Sequence, residues 1–95
     1  MKNLRISQDI LIKLNTKHSV SRREVEQCFD NKCGLYLLDE REDHKSDPPT
    51  LWFVAPTNNG RLLKVVFVFR DGYVNLRTAY DADELSRKIY DHHGR

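Results

Sequence analysis

The stretch from Arg61 to Tyr80, RLLKVVFVFRDGYVNLRTAY, constrains the fold of this chain more than any other. A β-branched and aromatic run from Leu62 to Phe69 meets Asp71-Gly72, and a second run follows from Tyr73 to Tyr80. Asp-Gly supplies the two positive φ angles of a primed two-residue turn, so the segment reads as a β-hairpin. Such a turn sets the register: Arg70 opposite Tyr73, Phe69 opposite Val74, Phe67 opposite Leu76, Val66 opposite Arg77 and Val65 opposite Thr78. Paired residues share a face of the sheet. The register therefore puts Leu63, Val65, Phe67, Phe69, Val74, Leu76, Thr78 and Tyr80 on one face. Lys64, Val66, Val68, Arg70, Tyr73, Asn75, Arg77 and Ala79 take the other. Burying large apolar side chains stabilises by roughly 1.5–3 kcal/mol each, so the first face must be covered by helices or another sheet. The second face, basic and aromatic, is either a solvated side or a binding surface.

The rest of the chain supplies the cover. Ser7 has the position of an N-cap, with Ile10, Leu11 and Leu14 recurring on one helical face and Asn15-Thr16 ending the pattern. Ser21 and Glu24 have capping-box spacing for a second helix from Arg22 to about Asp30, which buries Val25, Cys28 and Phe29. Gly34 has the position of a left-handed helix stop. Leu35 to Leu38 reads as a strand, followed by a polar loop from Asp39 to Pro49. Thr50 to Ala55 is a further strand, and Pro56 to Gly60 turns the chain into the hairpin. Asp81 and Glu84 offer a cap and box for a C-terminal helix with Ala82, Leu85 and Ile89 inward; the tail from Asp91 to Arg95 is expected to fray. The expectation is an α+β domain over residues 1–95: two short N-terminal helices, a four-stranded antiparallel sheet and a C-terminal helix, all helices on the apolar face.

Ninety-five residues suffice for one domain with a modest core. No apolar run is long enough for a membrane span, and two cysteines are too few for a disulfide scaffold, so a cytoplasmic protein without membrane contact is expected. Formal net charge is only +2, but its distribution is uneven. Acidic residues crowd between Asp39 and Asp47 and between Asp81 and Glu84, whereas the strands carry Arg61, Lys64, Arg70 and Arg77. Basic charge gathered on a sheet face fits polyanion binding.

Cys28 and Cys33 with His18, His44, His92 and His93 show no metal-ligand spacing, and no Gly-rich phosphate loop or nucleophile elbow occurs. Neither metal nor cofactor is expected. Cys28 reads as a small buried hydrophobe, Trp52 as a core residue and His18 as a helix connector. Cleaving RNA through its own 2′-hydroxyl needs a base, an acid and a cation for the developing phosphorane charge. Histidine is the side chain suited to the base or acid, with His44 and His18 as candidates; Arg77, Lys64, Arg41 and Arg61 can supply the cation, and Tyr73, Tyr80 or Trp52 can stack a base.

Several short motifs resemble the BrnT-type toxins. They are Lys17-His18 before Val20, Val25-x-x-x-Phe29, Asp39-x-Arg41-x-Asp43, Gly60-Arg61-x-Leu63-x-Val65-Val66, and Thr78-Ala79 followed by Ala82. The resemblance spans nearly the whole chain. It implies a RelE-like fold and a metal-independent endoribonuclease, the toxin of a type II toxin–antitoxin pair, with RNA as substrate and a cognate antitoxin, small and acidic or DNA-binding, as partner. On that reading His44 and Tyr80 are the proton-transfer candidates and Arg41 and Arg77 stabilise phosphate charge, while Arg61, Lys64, Arg70 and Asn75 hold RNA. The chain departs from the pattern where Tyr80 occupies the place of an arginine at the end of the last strand. That departure supports an alternative, a non-catalytic protein- or nucleic-acid-binding module on the same fold. The stretch His44-x-x-x-Pro48-x-Thr50-x-Trp52-Phe53 is also similar to small proteins labelled ADP-ribosyl-dinitrogen-reductase hydrolases. Such a hydrolase needs a larger domain with a metal-binding acidic cluster.

Overall fold

The computed structural model describes residues 1–39 and 48–94. The expected α+β class holds, with one strand more than the sequence suggested. In chain order the elements are β1 (Leu4–Arg5), α1 (Gln8–Lys17), α2 (Arg22–Asn31), β2 (Leu37–Leu38), β3 (Thr50–Pro56), β4 (Leu62–Arg70), β5 (Tyr73–Asp81) and α3 (Glu84–His93). They form one sheet in the order β1-β5-β4-β3-β2. The additional strand, β1, lies parallel to β5, with Leu4 beside Val74 and Arg5 beside Asn75; the other pairings are antiparallel. Two residues are too few for periodicity to reveal, and only the neighbouring strand makes them a strand.

The central hairpin turns as its sequence requires: Asp71 and Gly72 have φ of 54° and 79°, the two positive values of a primed turn. The expected register holds from Arg70–Tyr73 to Phe67–Leu76. Beyond it the ladder slips by one residue, and Val66 pairs with Thr78, Val65 with Ala79 and Lys64 with Tyr80. Arg77 is thus the extra residue of a β-bulge. Because side chains alternate with a period of two, this reverses the expected faces after Arg77. Ala79 goes into the core, with no exposed surface, and Thr78 and Tyr80 join the second face. The physical cause is packing: the bulge sets small Ala79 beside fully buried Val65 and keeps Tyr80 from the place opposite Leu63, which is also fully buried.

Both N-terminal helices begin as their sequences indicate. The Ser7 hydroxyl accepts from the Ile10 N–H, and Ser21 and Glu24 complete a reciprocal capping box. These helices cover the first face. Leu14, Val20, Val25 and Cys28 are buried there with Phe53, Leu63, Val65, Phe67 and Leu76. Phe29 sets its ring edge-on to Phe53 and Phe67, at 4.8 and 5.4 Å between centroids.

α3 departs from expectation in start, phase and position. Asp81 still belongs to β5, opposite Leu63, so the cap moves to Asp83, whose carboxylate accepts from the Ser86 N–H at 2.6 Å. Ser86 and Tyr90 face inward, whereas Leu85 and Ile89 are exposed. The helix packs on the second face, against β3, where the Tyr90 ring lies 5.9 Å from Trp52. The tail expected to fray is instead held as far as Gly94, and Arg95 lies outside the described residues: the Tyr90 hydroxyl donates to the Leu35 carbonyl at 2.8 Å, and the Leu35 N–H donates to the Gly94 carbonyl at 2.6 Å. Gly34 lies at this crossing and is not left-handed. It is required for another reason, since a Cβ there would run into the Gly94 carbonyl and the Tyr90 hydroxyl. These contacts replace the Leu35–Tyr36 half of the expected strand, leaving only Leu37 and Leu38 paired.

Candidate nucleic-acid interface

α3 covers the β3 side of the second face, and among the described residues no helix covers the side formed by β1, β5 and the far end of β4. The register brings Arg5, Tyr73, Asn75 and Arg70 together there, because Arg5 lies beside Asn75 and Arg70 opposite Tyr73. Arg77 adds to them from the bulge. A cleft of about 240 Å³ is lined by Pro48, Val68, Arg70, Asn75 and Arg77. A broader one of about 670 Å³, on the α1 side of the same edge, is lined by Arg5, Arg22, Asn75 and Arg77 with Leu4, Ile6, Ser7, Ile10 and Leu76. No carboxylate lines either cleft among the described residues.

Two features order this surface. The guanidinium of exposed Arg5 lies flat against Tyr73, its carbon 3.4 Å from the ring centroid, a cation–π contact at close range. The Asn75 amide nitrogen donates to the carbonyls of Tyr73 at 3.2 Å and Val68 at 3.4 Å. Its oxygen is thereby left as the outward acceptor. A surface with these groups can neutralise phosphates, stack planar rings and accept one hydrogen bond.

Of the residues singled out from sequence, Arg70, Asn75 and Arg77 are brought together in this way. Arg61 and Lys64 are not. All five N–H groups of Arg61 are used inside the protein. Nε and one terminal nitrogen grip the Asp81 carboxylate at 2.6 and 3.1 Å, and that nitrogen also donates to the His18 carbonyl at 2.9 Å. The other terminal nitrogen donates to the Ser19 carbonyl at 2.8 Å and to Glu24 at 3.3 Å. Arg61 therefore fastens the α1–α2 turn, where Ser19 has a positive φ of 53°, to the end of β5. The hydrogen bonds to Arg61 hold the Asp81 carboxyl below the usual carboxylate range. Lys64 is only 3 % exposed, with its ammonium 4.4 Å from the Trp52 ring centroid, so it stays within the fold and away from any strand of RNA.

Tyr80 stands at the other end of β5, half-buried, its ring 5.6 Å from that of His18. The bulge puts it on the same side of the sheet as Asn75, which a continuous register would not do. Arg41 and His44 lie outside the described residues. Cys28 is buried as expected, its thiol donating to the Ala55 carbonyl at 3.4 Å, and burial pushes its pKa up to about 12. Among the described residues no group of three His, Cys, Asp or Glu is placed to hold a metal ion, and no helix is long and apolar enough to cross a membrane.

No protein-family model matches the chain, and no curated protein matches it. Its function must therefore be argued from the site.

Arg5 is the residue that sequence reasoning missed. The signal available was the Leu4-Arg5-Ile6 alternation, which matters only once β1 is known to border β5.

Proposed function

We propose that the protein binds RNA on the β1–β5 side of the second face and cleaves it without a metal, as the toxin of a type II toxin–antitoxin pair. The observation that carries the binding is the convergence of Arg5, Arg70 and Arg77 around clefts that no carboxylate lines among the described residues. Such a surface attracts a phosphate backbone, and each neutralised phosphate adds to the salt dependence of binding. Cleavage is the reading that the resemblance to BrnT-type toxins adds. Arg77 would stabilise the phosphorane charge from its bulge, and Arg41, His44 and Tyr80 are the candidates for the remaining charge and proton-transfer roles. A cognate antitoxin would cover the same basic face.

A second reading, a non-catalytic RNA-binding module, is favoured by one observation: the Tyr80 ring, where the toxins carry an arginine, packs against His18 instead of lining the basic cleft. One experiment separates the two. Tightly induced expression in a bacterial host, with total RNA examined early, should arrest growth and fragment RNA for the wild-type chain. Arg77→Ala and His44→Ala should relieve both effects at equal protein levels. Unimpaired growth and intact RNA, with RNA binding retained in vitro, would overturn cleavage and leave the module.

A further inference from the structure

We propose that Arg5, Tyr73 and Asn75 form a subsite for one unpaired RNA base, stacked on the outer face of the Arg5 guanidinium. The inference rests on the reading of this face as an RNA-binding surface and says which part of the RNA it recognises. One side of the Arg5 guanidinium is against Tyr73 and Arg5 is exposed, so among the described residues the opposite side faces solvent. Among the described residues no carboxylate pairs with it, so its charge and its planar face are both available. The residue is held flat by the ring beneath it, which removes much of the entropy cost of ordering a long side chain under a ligand. A guanidinium held in this way is a platform on which any base can stack.

Asn75 sets the second requirement. It lies beside Arg5 across the β1–β5 pairing, and its two carbonyl contacts turn the amide nitrogen inward. The outward oxygen accepts only, and it suits the N–H groups on the Watson–Crick edge of a base. In a duplex those groups are already paired and both faces of each base are stacked. The subsite therefore selects single strands, while Arg70 and Arg77, a strand and a bulge away, meet the flanking phosphates without regard to sequence.

The test is fluorescence anisotropy of the full chain with labelled 2′-O-methyl strands, which cannot be cleaved through a 2′-hydroxyl. Three probes are compared: a single strand, the same strand in a duplex, and an abasic strand of equal length. The wild type should bind the single strand about tenfold more tightly than the abasic strand or the duplex, the size expected for one stacked base. Arg5→Lys keeps the charge and loses the plane, so it should erase the preference for the base-bearing strand over the abasic strand. Tyr73→Leu, which keeps strand propensity and removes the support under Arg5, should do the same, with circular dichroism confirming that both variants fold. Equal wild-type binding of the base-bearing and abasic strands, or an unchanged preference in Arg5→Lys, would overturn the subsite while the phosphate-binding reading stands. No salt-sensitive binding of any probe would overturn both.

Discussion

Deleting Arg77 is the most demanding test of the hairpin geometry, because insertion of one residue is what separates its two registers. Phe67 pairs with Leu76 before the bulge and Val66 with Thr78 after it, so removing Arg77 joins two segments that are already aligned. Every pair from Leu63–Asp81 to Arg70–Tyr73 is kept, Ala79 stays in the core and Arg61 still reaches Asp81. Arg77 is exposed, so the loss is confined to local twist and should stay within about 1 kcal/mol, or ~4–8 °C in the melting temperature of a domain this size. The continuous register that the sequence suggests predicts otherwise. There Thr78 and Tyr80 fill the core face, and the deletion would turn Thr78 to Asp81 over, taking Tyr80 out of the core and leaving Ala79 in its place. Replacing a buried aromatic by alanine costs about 3–5 kcal/mol. Thermal unfolding followed by circular dichroism distinguishes the two outcomes. A drop of more than about 15 °C, or failure to fold, would refute the bulge assignment.

Two further outcomes follow from the packing. Arg61→Met should lower stability by about 2 kcal/mol, since five charge-assisted but partly exposed bonds are lost together. Because the Asp81 pKa is depressed in the folded state, the pair's contribution is present above the ordinary aspartate value of about 4 and lost as pH falls through the lower folded value. The gap between wild type and variant in chemical denaturation should thus be constant from about pH 5 to 7 and narrow below about 4; a gap that widens in acid would refute the assignment. Gly34→Ala should cost about 1–3 kcal/mol by forcing the C-terminal end of α3 away from Leu35, and Leu35 amide exchange should accelerate with it. Unchanged exchange at Leu35 would show that α3 is not held there.

Legibility in the sequence followed the range of the interaction. The helix caps at Ser7 and Ser21, the Asp71-Gly72 turn and the first half of the hairpin register are decided within a few residues, and each could be read directly. The basic character of the second face was legible too, because alternation places Arg70 and Asn75 on one side of the strands. Tertiary packing decided the rest. The bulge at Arg77 sets Ala79 beside Val65 and keeps Tyr80 from the place opposite fully buried Leu63, a limit on volume that no strand pattern encodes. α3 took the second face because Tyr90 fits between Trp52 and the Leu35 carbonyl, which buried Lys64 and confined the open basic surface to the β1–β5 side. Arg61 became a latch because five acceptors from separate segments meet around it, and Arg5 entered the candidate site because a two-residue strand docked beside β5. Local sequence sets which backbone shapes are favourable, but which side chains remain available to a partner depends on what the folded chain has already covered.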